Sequence, residues 1–214
     1  MSELFSEIDE DLRREQLKKL WDRYSLHIIA LIVLIVAGVG GWRGYEYVES
    51  QKAEAAGKEF EAALALTDPA QAQAAFDKIA SSNAQGYSML ARLHAASEAS
   101  KQDSQKGIAA FDAIANDGKA DGPLREIARI RAASLLLDTA PYADIEKRLS
   151  GDASGTHTFR HSAREVLALS AWRAKNNDAA RKWLDMIGAD PQSPATLRRR
   201  AEAMLALLPP AAKS

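Results

Sequence analysis

The chain has 214 residues, of which 47% are hydrophobic, which is enough for one membrane segment and one globular domain with its own core. After Gly44 it carries 22 Lys or Arg and 22 Asp or Glu residues, so this large part has no net charge, which argues against nucleic acid as a partner. The absence of cysteine excludes disulfides, a thiol nucleophile and thiolate metal ligands.

Residues 1–25 form a polar lead with an amphipathic pattern. Apolar side chains recur at mostly three- and four-residue steps, with acids early and bases late. This spacing predicts a short helix, and the order of charge suits the helix dipole. The helix could lie on a membrane surface or against a partner, and a solvated helical lead-in to a membrane span is the alternative.

The run from Leu26 to Trp42 contains seventeen residues, of which only His27 is polar. As a helix it covers roughly 26 Å, which suffices for a hydrocarbon core of about 30 Å. We predict a transmembrane helix over 26–44. A buried core helix would keep a polar stripe, and a cleaved signal peptide would not follow a long lead rich in acids. The predicted membrane-interface anchors are Trp21, Tyr24, Trp42, Arg43 and Tyr45.

Lys and Arg are more frequent before the span than after it. Five lie within residues 13–23, whereas three lie within residues 43–58. The positive-inside rule therefore predicts a single-pass membrane protein with its N-terminus in the cytoplasm. The predicted domains are a cytoplasmic tail over 1–25, the span over 26–44, a periplasmic domain over 45–208 and a disordered C-terminus over 209–214.

Small residues within the span fall four apart, at Ala37 and Gly41 and at Gly40 and Gly44. This spacing lets another transmembrane helix approach closely, so these four residues are candidates for helix packing in the membrane. The alternative is that they reflect the ordinary glycine content of membrane helices.

Beyond Glu49 the chain is rich in alanine, and turn-forming segments with Pro or Gly recur along it. This pattern predicts a succession of short helices and no strands, hence an all-α fold. The predicted helices are 48–66, 70–81, 84–99, 104–116, 123–138, 142–149, 159–175, 178–187 and 195–208.

Internal repetition is the more informative signal. Residues 74–80 read AAFDKIA, and residues 109–115 read AAFDAIA. Placing Phe76, Phe111, Leu149 and Leu184 at one structural position gives separations of 35, 38 and 35 residues. This period is typical of tetratricopeptide repeats and predicts an α-solenoid of about four helix pairs plus a C-terminal capping helix. Coincidence in an alanine-rich helical protein is the alternative.

Stacked helix pairs leave a surface that receives peptide segments or partner helices. In the last repeat, Glu165, Trp172 and Arg173 lie at the spacing of one helix face. We predict that they contact a protein partner, although a tryptophan at helical spacing is more often part of a core.

Residues that could support catalysis are sparse. His157, His161 and Glu165 follow an i, i+4, i+8 spacing, but we do not predict a metal site, because His157 precedes the predicted helix, for which Thr158 is a plausible N-cap. No nucleophile elbow and no phosphate-binding loop is found. We therefore expect no enzyme, no cofactor, no small-molecule substrate and no nucleic-acid partner.

Three segments around the span resemble a known family. They are Phe5-Ser-Glu-Ile-Asp-Glu-Asp-Leu-Arg-Arg-Glu15, Lys19-Leu-Trp-Asp-Arg-Tyr24 and Gly41-Trp-Arg-Gly44. Together with the repeats they resemble the tetratricopeptide-like ancillary subunits of the Sec translocon, in their alphaproteobacterial form. The resemblance implies a single-pass protein of the bacterial inner membrane, associated with the protein-export channel and with periplasmic chaperones or emerging chains. A scaffold for cell-envelope assembly or cell division is the alternative function.

Overall fold

The computed structural model describes residues 2–82 and 86–210, with side chains at Lys18 and from Trp21 onward. Within these residues the chain forms nine helices and no strand, which confirms the predicted all-α class. The helices are α1 (Ser2–Leu64), α2 (Pro69–Ala80), α3 (Tyr87–Gln102), α4 (Ser104–Ala115), α5 (Gly122–Leu135), α6 (Tyr142–Leu149), α7 (Arg160–Arg173), α8 (Asn177–Gly188) and α9 (Ala195–Leu207).

Helix α1 joins three segments that the sequence analysis treated separately: the tail, the apolar span and the first repeat helix. The predicted start of a helix at residue 48 is therefore wrong. The physical reason is that no proline precedes Pro69, and the glycines of the span keep ordinary helical backbone angles. The chain divides into two compact units between Glu54 and Ala55.

The first unit contains the apolar part of α1. Its large apolar side chains are exposed, as Leu26 and Leu34 are at 75% and 70%. This helix is long and apolar enough to cross a membrane, so it is a candidate membrane span. Most side chains of the predicted amphipathic tail lie outside what the structure describes, as do residues 211–214 of the C-terminus predicted to be disordered over 209–214.

The second unit repeats one packing pattern along α2, α4, α6 and α8. Phe76, Phe111, Leu149 and Leu184 are all buried, and each is the eighth residue of its helix, so they occupy equivalent positions as predicted. The residues four before and three after each of them are also buried. Helices α2, α4 and α8 therefore present an i, i+4, i+7 stripe, whereas in the third repeat the last of these residues follows the end of α6. These flanking residues are Ala72 and Ile79, Gly107 and Ile114, Ile145 and Asp152, and Ala180 and Ile187.

The helices between them contribute small side chains. Helices α3 and α5 bury mainly alanines, and three of the eight buried residues of α7 are alanines, which allows close approach to the stripes of the neighbouring helices. The core is consequently a row of three clusters, each formed by consecutive helices. This is the arrangement of a solenoid, in which each repeat contacts its neighbours.

Helix α3 differs from its predicted range of 84–99, because it begins at Tyr87 and ends at Gln102. Gly86 precedes it with φ of +85°, a left-handed conformation that favours glycine. At the other end Asp103 is extended, and its carboxylate accepts hydrogen bonds from the backbone N–H groups of Gln105 and Lys106. A single residue thus ends α3 and caps α4.

Gly107 lies at a close approach of α3 and α4. A Cβ atom built on Gly107 would stand 2.6 Å from Ser100 Cα, closer than such atoms pack. We expect Gly107→Ala to lower the free energy of unfolding by about 1–3 kcal/mol, because backbone rather than a flexible side chain must move. Urea unfolding in lipid nanodiscs, followed by the fluorescence of the buried Trp183, measures this.

Gly188→Ala is the matched control for this substitution. Gly188 also lies in a helix, but a Cβ atom there would meet nothing within 4 Å. Its stability should change by no more than about 0.5 kcal/mol. Equal stability of the two variants would contradict the tight contact at Gly107.

Candidate functional site

The second compact unit, from Ala55 onward, contains the repeats, and we call it the repeat unit. In it, helices α3 and α5 border a cavity of about 180 Å³. We call this cavity the α3/α5 pocket. Its walls are mainly apolar, and it has a cation, an imidazole and a hydroxyl at its lining. The lining residues are Leu90, Leu93, His94, Ser97, Phe111, Ile127 and Arg131. Leu90 is 46% exposed, so part of this apolar surface faces solvent.

A second and larger cavity, the α5/α9 pocket, lies between α5, α7 and α9 and measures about 580 Å³. It is lined by Ser134, Leu137, Glu165, Val166, Leu169, Arg200, Ala203 and Met204. Helix α5 borders both pockets through successive turns of the same side, with Ile127 and Arg131 at the first pocket and Ser134 at the second. The two pockets therefore flank α5 on one face of the repeat unit, which we call the pocket face.

The predicted partner-binding residues have different positions. Glu165 lines the α5/α9 pocket and forms an ion pair with Arg200, with Nη2 2.8 Å from Oε1. Arg173 donates hydrogen bonds to the carbonyl oxygens of Asp138 and Ala140, so it holds the connection between α5 and α6. Trp172 is 46% exposed on the last turn of α7, outside the lining of either pocket.

Most residues of the pocket face were not predicted from the sequence. The sequence does show that Leu137, Leu169 and Met204 belong to apolar patterns with three- and four-residue spacing. That signal does not distinguish a core residue from a pocket residue. The difference depends on how far apart the helices stand.

The small residues of the span have no close neighbour outside their own helix among the described residues. Ala37 is exposed, and a Cβ atom added at Gly40, Gly41 or Gly44 would meet nothing within 4 Å. No contact within the described residues accounts for these glycines, each of which costs a helix about 1 kcal/mol relative to alanine. The predicted interface anchors, Trp21, Tyr24, Trp42, Arg43 and Tyr45, are exposed along α1.

The histidines near the start of α7 are held by separate carboxylates. His157 Nδ1 lies 2.9 Å from Glu126 Oε1, and His161 Nε2 lies 2.9 Å from Asp190 Oδ2. No metal-binding group is found among the described residues.

Thr158 is not the N-cap of α7, contrary to our expectation. The cap position falls at Phe159, whose N–H donates to Glu126 Oε2 at 3.2 Å.

Asp190 is the centre of a cation cluster between α7 and the loop after α8. Its carboxylate accepts hydrogen bonds from Arg160 Nε at 2.9 Å, Arg164 Nη1 at 3.1 Å and the Gln192 backbone N–H at 3.0 Å. Hydrogen bonds from Arg160 first and His161 next hold the pKa of the Asp190 carboxyl well below its usual range. Arg164 is itself buried and also donates to the carbonyls of Ala153 and Met186.

The third repeat departs from the others at Asp152, where the equivalent positions hold isoleucine. Asp152 is buried and forms a two-point ion pair with Arg129, with both N–O distances at 2.7 Å. The buried charge is thereby compensated by a planar, charge-assisted pair. The loop after α6 therefore packs against the core instead of interrupting the stack.

The repeated helix pairs and the pocket face define a helical-repeat protein, a class that generally binds other proteins and does not catalyse a reaction. A family model for the tetratricopeptide repeat-like domain matches residues 18–182, and the chain belongs to this family. The matched region includes the apolar part of α1 as well as the repeats. Neither a curated protein nor a solved structure matches the chain.

The lowered pKa of Asp190 predicts a pH-dependent contribution to stability. Its ion pairs stabilise the fold fully above the unfolded-state pKa of about 3.9, and this contribution is lost as pH falls toward the folded-state pKa. Asp190→Asn should therefore destabilise the repeat unit most above about pH 5, with a difference from the wild type that shrinks below about pH 4.

Urea unfolding between pH 3 and pH 7 measures this difference. Asp185→Asn, an exposed position on α8, is the control and should show no such trend. A difference between Asp190→Asn and the wild type that stays constant across this range would contradict the ionised cluster.

Proposed function

We propose that this protein is a membrane-anchored accessory factor of the Sec protein-export channel. In this role α1 spans the bacterial inner membrane with its N-terminus in the cytoplasm, and the repeat unit lies in the periplasm. The pocket face holds a periplasmic chaperone or an emerging exported chain. The proposal takes up the resemblance of residues 5–44 to ancillary translocon subunits.

One observation carries the proposal. The family match runs from residue 18 through the apolar segment into the repeats, so span and repeats belong to one family unit. This supports a retained anchor, because a cleaved leader is removed before a protein acts and need not belong to the same unit. The excess of Lys and Arg before the span supports the cytoplasmic location of the N-terminus.

The exposed small residues of α1 support docking at a membrane partner. Gly40, Gly41 and Gly44 lie open along the helix, with no neighbour that a Cβ atom would meet. A second transmembrane helix that packs there could approach closely and gain van der Waals contact along the helix. In this proposal the other helix belongs to a translocon subunit.

The repeat unit supports a role in binding polypeptide. The pocket face combines apolar lining with charged side chains, and Trp172 adds an exposed aromatic ring beside it on α7. Aromatic side chains contribute much of the binding energy at protein interfaces. The same face would serve a scaffold for cell-envelope assembly or division, so the identity of the partner has to be measured.

The decisive experiment is crosslinking in intact cells. A photoreactive residue replaces Gly40 in one variant and Trp172 in a second, and the adducts are identified. Gly38, about 200° around the helix from Gly40, is the matched control in the span. Gly188, exposed at the end of α8, is the control for the repeat unit.

We expect translocon subunits crosslinked at Gly40 but not at Gly38, and chaperones or exported chains crosslinked at Trp172 but not at Gly188. Adducts with division or envelope-assembly proteins alone would overturn the export function and favour the scaffold. Adducts of equal yield at the test and control positions would show that neither surface binds specifically.

A further inference from the structure

Arg131 lies at the edge of an apolar cavity, and no carboxylate among the described residues pairs with it. It is exposed on α5 and is the one fully charged side chain among the described residues that line the α3/α5 pocket. Arg129, two residues before it, is paired with Asp152, whereas no ion pair or hydrogen bond is found for Arg131 within the described part of the chain. Its guanidinium is therefore free to bind an anion in two-point geometry.

His94 adds no charge to the pocket near neutral pH. Its ring stacks on Phe76 with a centroid distance of 5.0 Å and meets the edge of Phe60 at 5.2 Å. Partial burial among these rings lowers the pKa of His94, because the charged form loses hydration. The net charge of the pocket lining is then the single positive charge of Arg131.

The size of the cavity suits one large side chain. Its volume is about 180 Å³, and an apolar cavity of about 150 Å³ in another protein binds benzene. Leu93, Phe111 and Ile127 provide the apolar lining that a phenyl or leucyl side chain needs. An entering apolar group would also cover the exposed side of Leu90.

We propose that the α3/α5 pocket binds an acidic, apolar segment of a partner protein, in which one bulky apolar side chain fills the cavity while a carboxylate next to it pairs with Arg131. The inference rests on the protein-binding role proposed above and names the chemistry of the bound segment. In the bound segment we expect the carboxylate and the apolar residue to be neighbours in sequence, because Arg131 and the apolar lining belong to the same small pocket.

The test uses the full chain in lipid nanodiscs and three fluorescein-labelled peptides. The first has the sequence Ser-Gly-Glu-Phe-Glu-Gly-Ser, the second has lysine in place of both glutamates, and the third has alanine in place of phenylalanine. Fluorescence anisotropy gives the affinity of each for the wild type, for Arg131→Glu and for Lys147→Glu. Lys147 is the matched control, since it is an exposed cation on α6 that lines neither pocket.

We expect the first peptide to bind the wild type with an affinity about tenfold higher than either other peptide. Arg131→Glu should weaken the first peptide about tenfold and strengthen the lysine peptide, and this exchange of preference cannot come from unfolding. Lys147→Glu should change neither affinity by more than about twofold, because its charge is outside the pocket.

Three outcomes would overturn the inference: no saturable binding of the first peptide up to about 1 mM, equal affinities for the glutamate and lysine peptides, or an affinity that Arg131→Glu leaves unchanged. They are distinguishable from failure of the proposed function. Crosslinks to chaperones or exported chains at Trp172 would still stand if the peptides failed, and only the chemistry assigned to this pocket would be withdrawn.

Discussion

The structure of the repeat unit depends on one contact that recurs along the chain: a bulky side chain packed between helices that bury alanine. Phe76, Phe111, Leu149 and Leu184 provide this side chain in successive repeats. No single helix pair can cover its own stripe, so each needs the next pair, and the helices stack. Because the stripes are used in stacking, the sides of α3, α5, α7 and α9 that carry the two pockets remain available to a partner.

The third repeat preserves this stacking by polar contacts. Asp152 replaces the expected isoleucine and is held by Arg129, while Glu126 accepts the backbone N–H at the start of α7. Arg164 links the loop after α6 to the end of α8 and to Asp190. Breaking one member would leave a buried charge unpaired, which is far more costly than losing a surface pair. These contacts keep α5 and α7 in place, and both helices border the α5/α9 pocket.

Helix α1 has two different environments along its length. Its apolar part exposes leucine, isoleucine and valine on all sides, whereas Phe60 and Ala63 near its end pack with α2 and α3. The first environment suits lipid and the second suits a protein core, where a large apolar group must be enclosed by other side chains. The family match includes both parts, so the candidate span and the repeats belong to one family unit.

The sequence by itself determined the helical class, the candidate span, the equivalence of the four repeat positions and most helix ends to within a few residues. Local signals decide these features: apolar periodicity, turn-forming residues and capping side chains such as Asp68 and Asp103. Glu165, predicted to contact a partner, lies at a pocket, but the sequence could not distinguish pocket residues from core residues. The tertiary structure alone decided the pairing of Arg129 with Asp152, the acceptors at the start of α7 and the cavity beside Arg131. Each of these joins residues more than twenty positions apart, and their distances are set by how the helices pack, which no local pattern encodes.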